Sequence, residues 1–221
     1  MRYIFFGGQE SLFAKIILKE LTKAGMAPIA VIRDARAPLD LGYLRSLNAD
    51  FFLVAAFGKI LKKELLEIPL KGTIGIHPSL LPKYRGASPI QSVILNDEKE
   101  TGTAIFQIDE KVDHWAVISS KVLVISDKDN YETLEEKLAE LSADLFIETA
   151  PKWLTGEITP EIQNEAGATY TKKFITGDAE IGSVGLISSI SPVNPINAKE
   201  IWLKIRALNP EPGVFTMIPL N

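Results

Sequence analysis

The clearest pattern in the first eighty residues is a set of short, solid apolar runs, at residues 3–6, 28–32, 51–56 and 73–76. Solid runs of this length are typical of strands that are buried on both faces of a parallel sheet. Between the first two runs, apolar side chains recur every three or four residues from Leu12 to Leu21, which predicts a helix with Ser11 as its N-cap and Gly25 as its stop. The pattern predicts an α/β fold, an open, mainly parallel twisted sheet with helices on both faces.

The pattern changes after residue 77. Residues 78–89 are rich in proline and predict a loop, and residues 90–95 predict a short helix. Two strands follow at residues 103–108 and 117–125, with a polar corner between them, so we expect an antiparallel excursion from the sheet. An amphipathic helix comes next, with an apolar stripe formed by Leu134, Leu138, Leu141, Leu145 and Phe146.

The last part of the chain carries weaker signals. A short strand is expected at residues 170–174, and a stretch rich in Gly, Ser, Pro and Asn at residues 177–195 predicts a linker. A helix is expected at residues 201–208. Residues 214–221 follow it and are long enough for one strand, but no partner strand is predicted for them. These signals predict a main domain at 1–176, a linker at 177–196 and a remnant of a further domain at 197–221.

Composition and charge exclude several classes of protein. Apolar residues make up 46% and charged residues 24% of the 221 residues, which is ordinary for a globular protein. The net charge of −4 argues against a general polyanion binder, and the lack of cysteine excludes disulfides, thiolate metal sites and a cysteine nucleophile. Gly7, Gly8 and Glu10 interrupt the first apolar run too early for a signal peptide, so we expect a cytoplasmic protein with no membrane partner.

His77 is the most informative candidate for chemistry. It lies where a predicted strand ends, at the edge of a parallel sheet where such folds bind their ligands, and imidazole exchanges protons near neutral pH. The alternative is a histidine that merely satisfies its hydrogen bonds at a strand end. Asp113 and His114 form a second polar corner, either a carboxylate that orients an imidazole or a solvated acidic turn. The residues alone predict a small-molecule enzyme that uses His77 with a nearby carboxylate and no metal.

Residues 77–90, HPSLLPKYRGASPI, closely resemble the signature of the formyltransferases that use 10-formyltetrahydrofolate, in particular those that act on methionyl-tRNA. The similarity continues at residues 57–61, 95–96, 100–102, 109–113, 168–170 and 205–213. The resemblance implies a Rossmann-like formyltransferase fold, a role in translation initiation and one-carbon metabolism, and initiator methionyl-tRNA as a partner. It leaves the oligomeric state open.

The resemblance also implies roles for individual residues. His77 and Asp113 match the catalytic histidine and aspartate of the family, with the aspartate keeping the imidazole charged and moving the proton of the amine through water. The family's folate pocket matches Phe57, Gly58, Lys59, Ile60, Leu61, Ser79, Leu80, Leu81, Pro82 and Val112.

The sequence departs from the family in ways that affect the expected activity. Gly75 stands where the family has asparagine, two residues before the histidine, so an oxyanion donor is missing unless Asn96 or an amide of the substrate replaces it. Trp115 follows the Asp113 corner and either narrows the mouth of the site or caps the corner.

The parts that would hold a tRNA are reduced. Few residues separate Ile32 from Leu41, where the members that use tRNA carry a long basic loop, and the barrel-like second domain is shortened. Three functions therefore remain open: formyl transfer to methionyl-tRNA, formyl transfer to a small amine such as an amino-sugar nucleotide, and folate binding without catalysis.

Overall fold

A six-stranded sheet forms the centre of the protein in the computed structural model, which describes residues 1–182 and 195–217. These residues contain eight strands in chain order: β1 (Tyr3–Gly7), β2 (Ala30–Ile32), β3 (Phe51–Ala55), β4 (Thr73–His77), β5 (Arg85–Gly86), β6 (Glu100–Gln107), β7 (Val117–Val124) and β8 (Tyr170–Thr171). The large sheet has the order β2-β1-β3-β4-β6-β7, and β5 pairs with β8 in a separate small sheet.

The first four strands of the large sheet are parallel, which confirms the predicted fold class. Every residue of β1 and β4 is buried, as expected of solid apolar runs covered on both faces. The prediction of a buried strand at residues 28–32 is wrong, because β2 forms the edge of the sheet and leaves Val31 37% exposed.

The antiparallel excursion is present as predicted. β6 runs antiparallel to β4, and β7 runs antiparallel to β6. The register between β4 and β6 sets His77 opposite Ala104 and Gly75 opposite Phe106. This pairing brings an aromatic ring from β6 next to the end of β4.

Within the described ranges the α-helices are α1 (Leu12–Lys23), α2 (Leu41–Ser46), α3 (Lys63–Leu66), α4 (Pro89–Leu95), α5 (Tyr131–Thr155) and α6 (Pro195–Leu208). Ser11 caps α1 as predicted, since its Oγ accepts a hydrogen bond from the Ala14 amide at 3.1 Å. The long helix α5 begins with a reciprocal pair of bonds between Asn130 and Thr133. It ends at Gly156, whose φ of 81° allows the left-handed turn that terminates a helix.

Aromatic side chains fill the core on both faces of the sheet. On the face covered by α1 and α5, the rings of Tyr3 and Phe51 stack at 5.3 Å, and Trp153 meets Phe51 edge-on at 5.4 Å. On the other face, a smaller cluster forms around Phe6 and Phe52. Burial of such side chains stabilises the fold by about 1.5–3 kcal/mol each, so the sheet is a rigid support for the loops at its edge.

The C-terminal part of the described chain packs onto this core. Leu203, Ala207 and Leu208 of α6 are buried, and the Ile181 amide donates to the Phe215 carbonyl at 2.8 Å. Phe215 thus has a partner, which the sequence did not predict, and α6 begins earlier than the predicted residue 201. Residues 183–194 of the predicted linker and residues 218–221 lie outside the described residues, and the division into domains stays a prediction.

None of the helices in the described ranges is both long enough and apolar enough to cross a membrane.

Candidate active site

His77 is the last residue of β4 and is almost fully buried, with its side chain 8% exposed. Its Nε2 lies 2.8 Å from the Tyr84 carbonyl oxygen. Because a carbonyl oxygen only accepts hydrogen bonds, Nε2 carries a proton and donates it to this bond. The other ring nitrogen, Nδ1, is therefore the one that can exchange a proton with a substrate.

Asp113 faces that free nitrogen. Its Oδ2 lies 3.6 Å from His77 Nδ1, within ion-pair distance but too far for a direct hydrogen bond. The same oxygen accepts a hydrogen bond from the Gly86 amide at 2.8 Å. Asp113 has a φ of 47°, an uncommon conformation that turns its carboxylate toward β4. The structure thus brings together the two residues that the sequence singled out for catalysis.

The small sheet of β5 and β8 holds the Gly86 amide in place. Gly86 has a φ of 106°, and a Cβ atom there would lie 2.6 Å from the Thr171 carbonyl oxygen, so only glycine fits. The adjacent Arg85 is fully buried, and its five N–H groups donate to Gln163, Glu165 and Tyr170. Glu165 raises the pKa of Arg85 and the guanidinium lowers that of Glu165, so the ion pair stays charged.

Two cavities meet at His77. The larger, of about 790 Å³, has mostly apolar and aromatic walls that include Phe57, Ile60, Phe106, Val112 and Phe174. The smaller, of about 510 Å³, is bordered by acidic side chains, which are Glu10, Glu132, Glu135 and Glu211. Such a junction allows two molecules to approach the imidazole, each from its own side.

Gly75 is enclosed by neighbouring side chains. A Cβ atom at this position would lie 2.6 Å from Phe106 Cε1, 2.8 Å from Phe106 Cζ and 3.1 Å from Ile108 Cδ1. The Phe106 ring, which also lies edge-on to His77 with centroids 6.5 Å apart, thus occupies the space that a side chain at position 75 needs. Asparagine is therefore absent at position 75 where the Phe106 ring fills the space for its side chain.

The comparison with known proteins identifies the family. The family model described as formyl transferase matches residues 33–150, more than half of the chain. The chain belongs to the formyl transferase family. The match includes β4, the loop after it and the Asp113 corner.

Curated relatives of this formyl transferase chain are methionyl-tRNA formyltransferases. The protein from Thermodesulfovibrio yellowstonii is 49% identical over 175 residues, which cover 79% of this chain and 53% of the relative. The protein from Dictyoglomus turgidum is 40% identical over 173 residues, with 78% and 52% covered. The chain therefore spans about half the length of the curated relatives that it matches.

Solved structures share the fold of this formyl transferase chain. HypX from Aquifex aeolicus superposes with a TM-score of 0.81 at 16% identity, covering 99% of this chain and 37% of HypX. The methionyl-tRNA formyltransferase from Clostridium thermocellum superposes with a TM-score of 0.71 at 20% identity, covering 99% and 88%.

Five of the residues predicted for a folate pocket line the larger cavity of the formyl transferase chain: Phe57, Gly58, Lys59, Ile60 and Val112. The other five, Leu61, Ser79, Leu80, Leu81 and Pro82, do not. Leu61 is 6% exposed and packs into the core cluster around Phe6. Ser79 is fully buried, and its Oγ donates to the Lys83 carbonyl at 2.7 Å, so it holds the loop in shape.

Three other candidates from the sequence lie apart from the junction of the cavities. His114 Nδ1 lies 2.7 Å from Asp109 Oδ2, so the carboxylate beside this imidazole is that of Asp109, whereas Asp113 faces His77. Trp115 is 43% exposed and lines neither cavity. Asn96 is exposed and donates to the Tyr84 hydroxyl at 3.0 Å, outside both cavities, so it does not replace the missing amide.

Sequence reasoning missed Gln91, Tyr131 and Glu211, all of which line both cavities, and Glu135, which lines the smaller one. Burial raises the pKa of both Tyr131 and Glu135. The four-residue spacing of Tyr131 and Glu135 on α5 is a signal that both face the same side. Among the residues that the structure describes, no group of three or more His, Asp or Glu side chains is arranged to hold a metal ion.

Proposed function

We propose that the protein transfers a formyl group from 10-formyltetrahydrofolate to the amino group of methionyl-tRNA, with His77 and Asp113 as the catalytic residues. The observation that carries the proposal is the approach of Asp113 Oδ2 to His77 Nδ1, 3.6 Å apart, where the two cavities meet. It is supported by the family and by relatives whose name states this activity.

The larger cavity is the proposed place for the formyl donor. Its walls combine aromatic and aliphatic side chains with the glycine turn at residues 57–60, and such a slot suits a flat pterin ring. Phe57, Gly58, Lys59, Ile60 and Val112 would hold the donor, and the HypX neighbour has been solved in complex with tetrahydrofolic acid. When bound, the donor supplies an activated formyl group whose acceptor is an amine.

His77 and Asp113 have complementary roles in this proposal. The Tyr84 carbonyl engages Nε2, so the proton on Nδ1 of the imidazolium is the one available to stabilise negative charge on the formyl oxygen. The Asp113 carboxylate lies beside the imidazole and receives, through a water molecule, the proton that the attacking amine loses. The bond between the donor nitrogen and the formyl carbon then breaks, and this nitrogen takes up a proton as tetrahydrofolate leaves. The Gly86 amide keeps the carboxylate in position for both tasks.

The amine would enter through the smaller cavity, whose acidic border attracts a protonated amine. A small amine, such as an amino-sugar nucleotide, is the second candidate acceptor. The short connection between β2, which ends at Ile32, and α2, which begins at Leu41, favours it, because no long basic loop extends there to meet a tRNA.

Release of tetrahydrofolate from 10-formyltetrahydrofolate tests the proposal, with charged initiator tRNA and amino-sugar nucleotides supplied in turn. We expect turnover with the charged tRNA and its loss in His77→Ala, whereas His114→Ala, which removes the only other histidine, should retain it. Turnover only with the sugar nucleotide would contradict methionyl-tRNA as the acceptor and support a small amine instead. Donor binding without turnover on either acceptor would support a folate-binding protein without catalysis.

A further inference from the structure

The junction of the two cavities lacks the amide side chain that the resemblance places at position 75. An asparagine cannot simply be placed there, because Phe106 already fills the space next to the Gly75 Cα. The charge that develops on a formyl oxygen still needs a second donor besides His77, since such donors stabilise the transition state strongly. If the proposed function holds, a group other than residue 75 must supply this donor.

Most polar donors near His77 are already engaged. The Gly86 amide donates to Asp113 at 2.8 Å, and the Ser88 amide donates to the Thr171 hydroxyl at 3.1 Å. Lys59 Nζ donates to the Ala37 carbonyl at 3.0 Å.

Two further donors are poorly suited to the role. Burial and the nearby Glu135 carboxylate raise the pKa of Tyr131, which makes its hydroxyl a weaker hydrogen-bond donor. Lys173 is exposed at the rim of the larger cavity, where water competes for its ammonium group.

Gln91 is different from all of these. It is the third residue of α4, is half-buried, and lines both cavities together with His77. Its side chain makes no hydrogen bond to any other residue in the described ranges, and it is the one side-chain amide in the lining of either cavity. Burial of Ile90, Val93 and Ile94 holds α4 in place, so the backbone of Gln91 is fixed beside the two cavities.

We propose that the Gln91 side-chain amide donates a hydrogen bond to the formyl oxygen during transfer, in the role that an asparagine at position 75 would have. Gln91 is thereby a catalytic residue. Its amide takes the place of the side chain for which Phe106 leaves no room at position 75. Removal of a single oxyanion donor lowers kcat roughly 100–1000-fold in enzymes of known mechanism.

Three variants test this proposal. Gln91→Leu removes the amide and keeps a similar volume, and Gln91→Glu keeps the shape and replaces the donor by an acceptor. Gln107→Leu is the matched control, since Gln107 is half-buried and lines neither cavity. We expect both Gln91 variants to lose kcat roughly 100–1000-fold with the KM for the donor little changed, and Gln107→Leu to keep both values.

A measurement without turnover separates this inference from the proposed function. The donor is labelled with ¹³C in the formyl group and bound in the absence of an acceptor, and its C=O stretch is recorded by infrared difference spectroscopy. A hydrogen bond lowers this frequency, so we expect a higher frequency in Gln91→Leu than in the unaltered protein and in Gln107→Leu. The same frequency in all three, with the donor bound, would overturn the role of Gln91 and leave the proposed function intact. Failure of the unaltered protein to bind the donor would overturn both.

Discussion

Adding one methyl group at Gly75 should destabilise the protein, because the Phe106 ring occupies the space for it. In Gly75→Ala, the new Cβ would lie 2.6 Å from Phe106 Cε1 and 2.8 Å from Phe106 Cζ, closer than carbon atoms approach in folded proteins. Phe106 is itself only 4% exposed, so its ring cannot turn away without disturbing its neighbours. The perturbation therefore measures how tightly β4 and β6 are packed beside the candidate site.

The size of the effect follows from two opposing terms. Overpacking of a core position costs about 1–3 kcal/mol. Replacing glycine by alanine within a strand stabilises the folded state by about 0.5–1 kcal/mol, because the unfolded chain has less conformational freedom to lose. We expect a net loss of about 1–2 kcal/mol in the free energy of unfolding, or a melting temperature lower by roughly 5 °C for a chain of this size.

Urea unfolding of four proteins gives the test: the unaltered chain, Gly75→Ala, Phe106→Leu and the double variant. Leucine lacks the two ring atoms in conflict, so the second substitution should relieve the first, with a coupling energy of about 1 kcal/mol. Gly177→Ala is the control, since a Cβ there meets no atom within 4 Å and the backbone is not left-handed. A Gly75→Ala protein as stable as the unaltered one, or a coupling energy near zero, would refute the packing argument.

Three further predictions concern the site and its support. His77→Ala and Asp113→Asn should each lower the rate of formyl transfer by roughly 100–10,000-fold, because each removes a proton-handling group. Burial pushes the pKa of Asp129 upward, but the ammonium of Lys137 and a backbone amide outweigh this and lower it. The stability that Asp129 contributes is therefore present above its ordinary pKa and is lost as the pH falls through the lowered value. We expect Asp129→Asn to lower the free energy of unfolding by about 2 kcal/mol at neutral pH and by less in acid. Arg85→Lys should cost about 2 kcal/mol, because an ammonium has three donors and the site uses five.

Each of these predictions has its own control and measurement. Tetrahydrofolate release, measured beside His114→Ala, reports on the two catalytic residues, and an unchanged rate in Asp113→Asn would contradict its role. Urea midpoints between pH 3 and pH 7 report on Asp129, with the exposed Asp127→Asn for comparison; parallel curves for the two variants would contradict the pKa argument. Thermal unfolding of Arg85→Lys is compared with Arg45→Lys at an exposed site, and equal melting temperatures would show that the extra donors add no stability.

The regular part of the fold is predictable from the sequence because its signals are local. The solid runs that became β1, β3 and β4 identify buried parallel strands, and Ser11 identifies the start of α1. β2 was misassigned as buried because an apolar run does not reveal whether another strand lies beyond it. The expectation that His77 and Asp113 act together came from the resemblance and not from any spacing in the chain, and the structure places them 3.6 Å apart.

The remaining part of the site depends on contacts between residues far apart in the chain. The ring of Phe106 reaches Gly75 through the register of β4 and β6, and the sequence does not reveal that register. Nor does it reveal the irregularity between Ile105 and Phe106 in the pairing of β6 with β7. The two-residue strands β5 and β8 are too short to show any periodicity. Gln91 lay within the stretch that carries the resemblance, but only the position of α4 between the cavities distinguishes it from its neighbours.

The pairing of β5 with β8 has a consequence for the order of folding. Arg85 pairs with Tyr170 across 85 residues, and the Gln163 side chain that holds the Asp113 carbonyl lies 50 residues further along the chain than Asp113. Contacts across such separations close large loops and form late, after the local helices and the neighbouring strands. All six strands of the central sheet and the helix α5 that covers one face lie within the first 155 residues, whereas the contacts that hold the site need residues 163–171. A nascent chain therefore contains most of its hydrophobic core before it contains the residues that hold His77 and Asp113 in place.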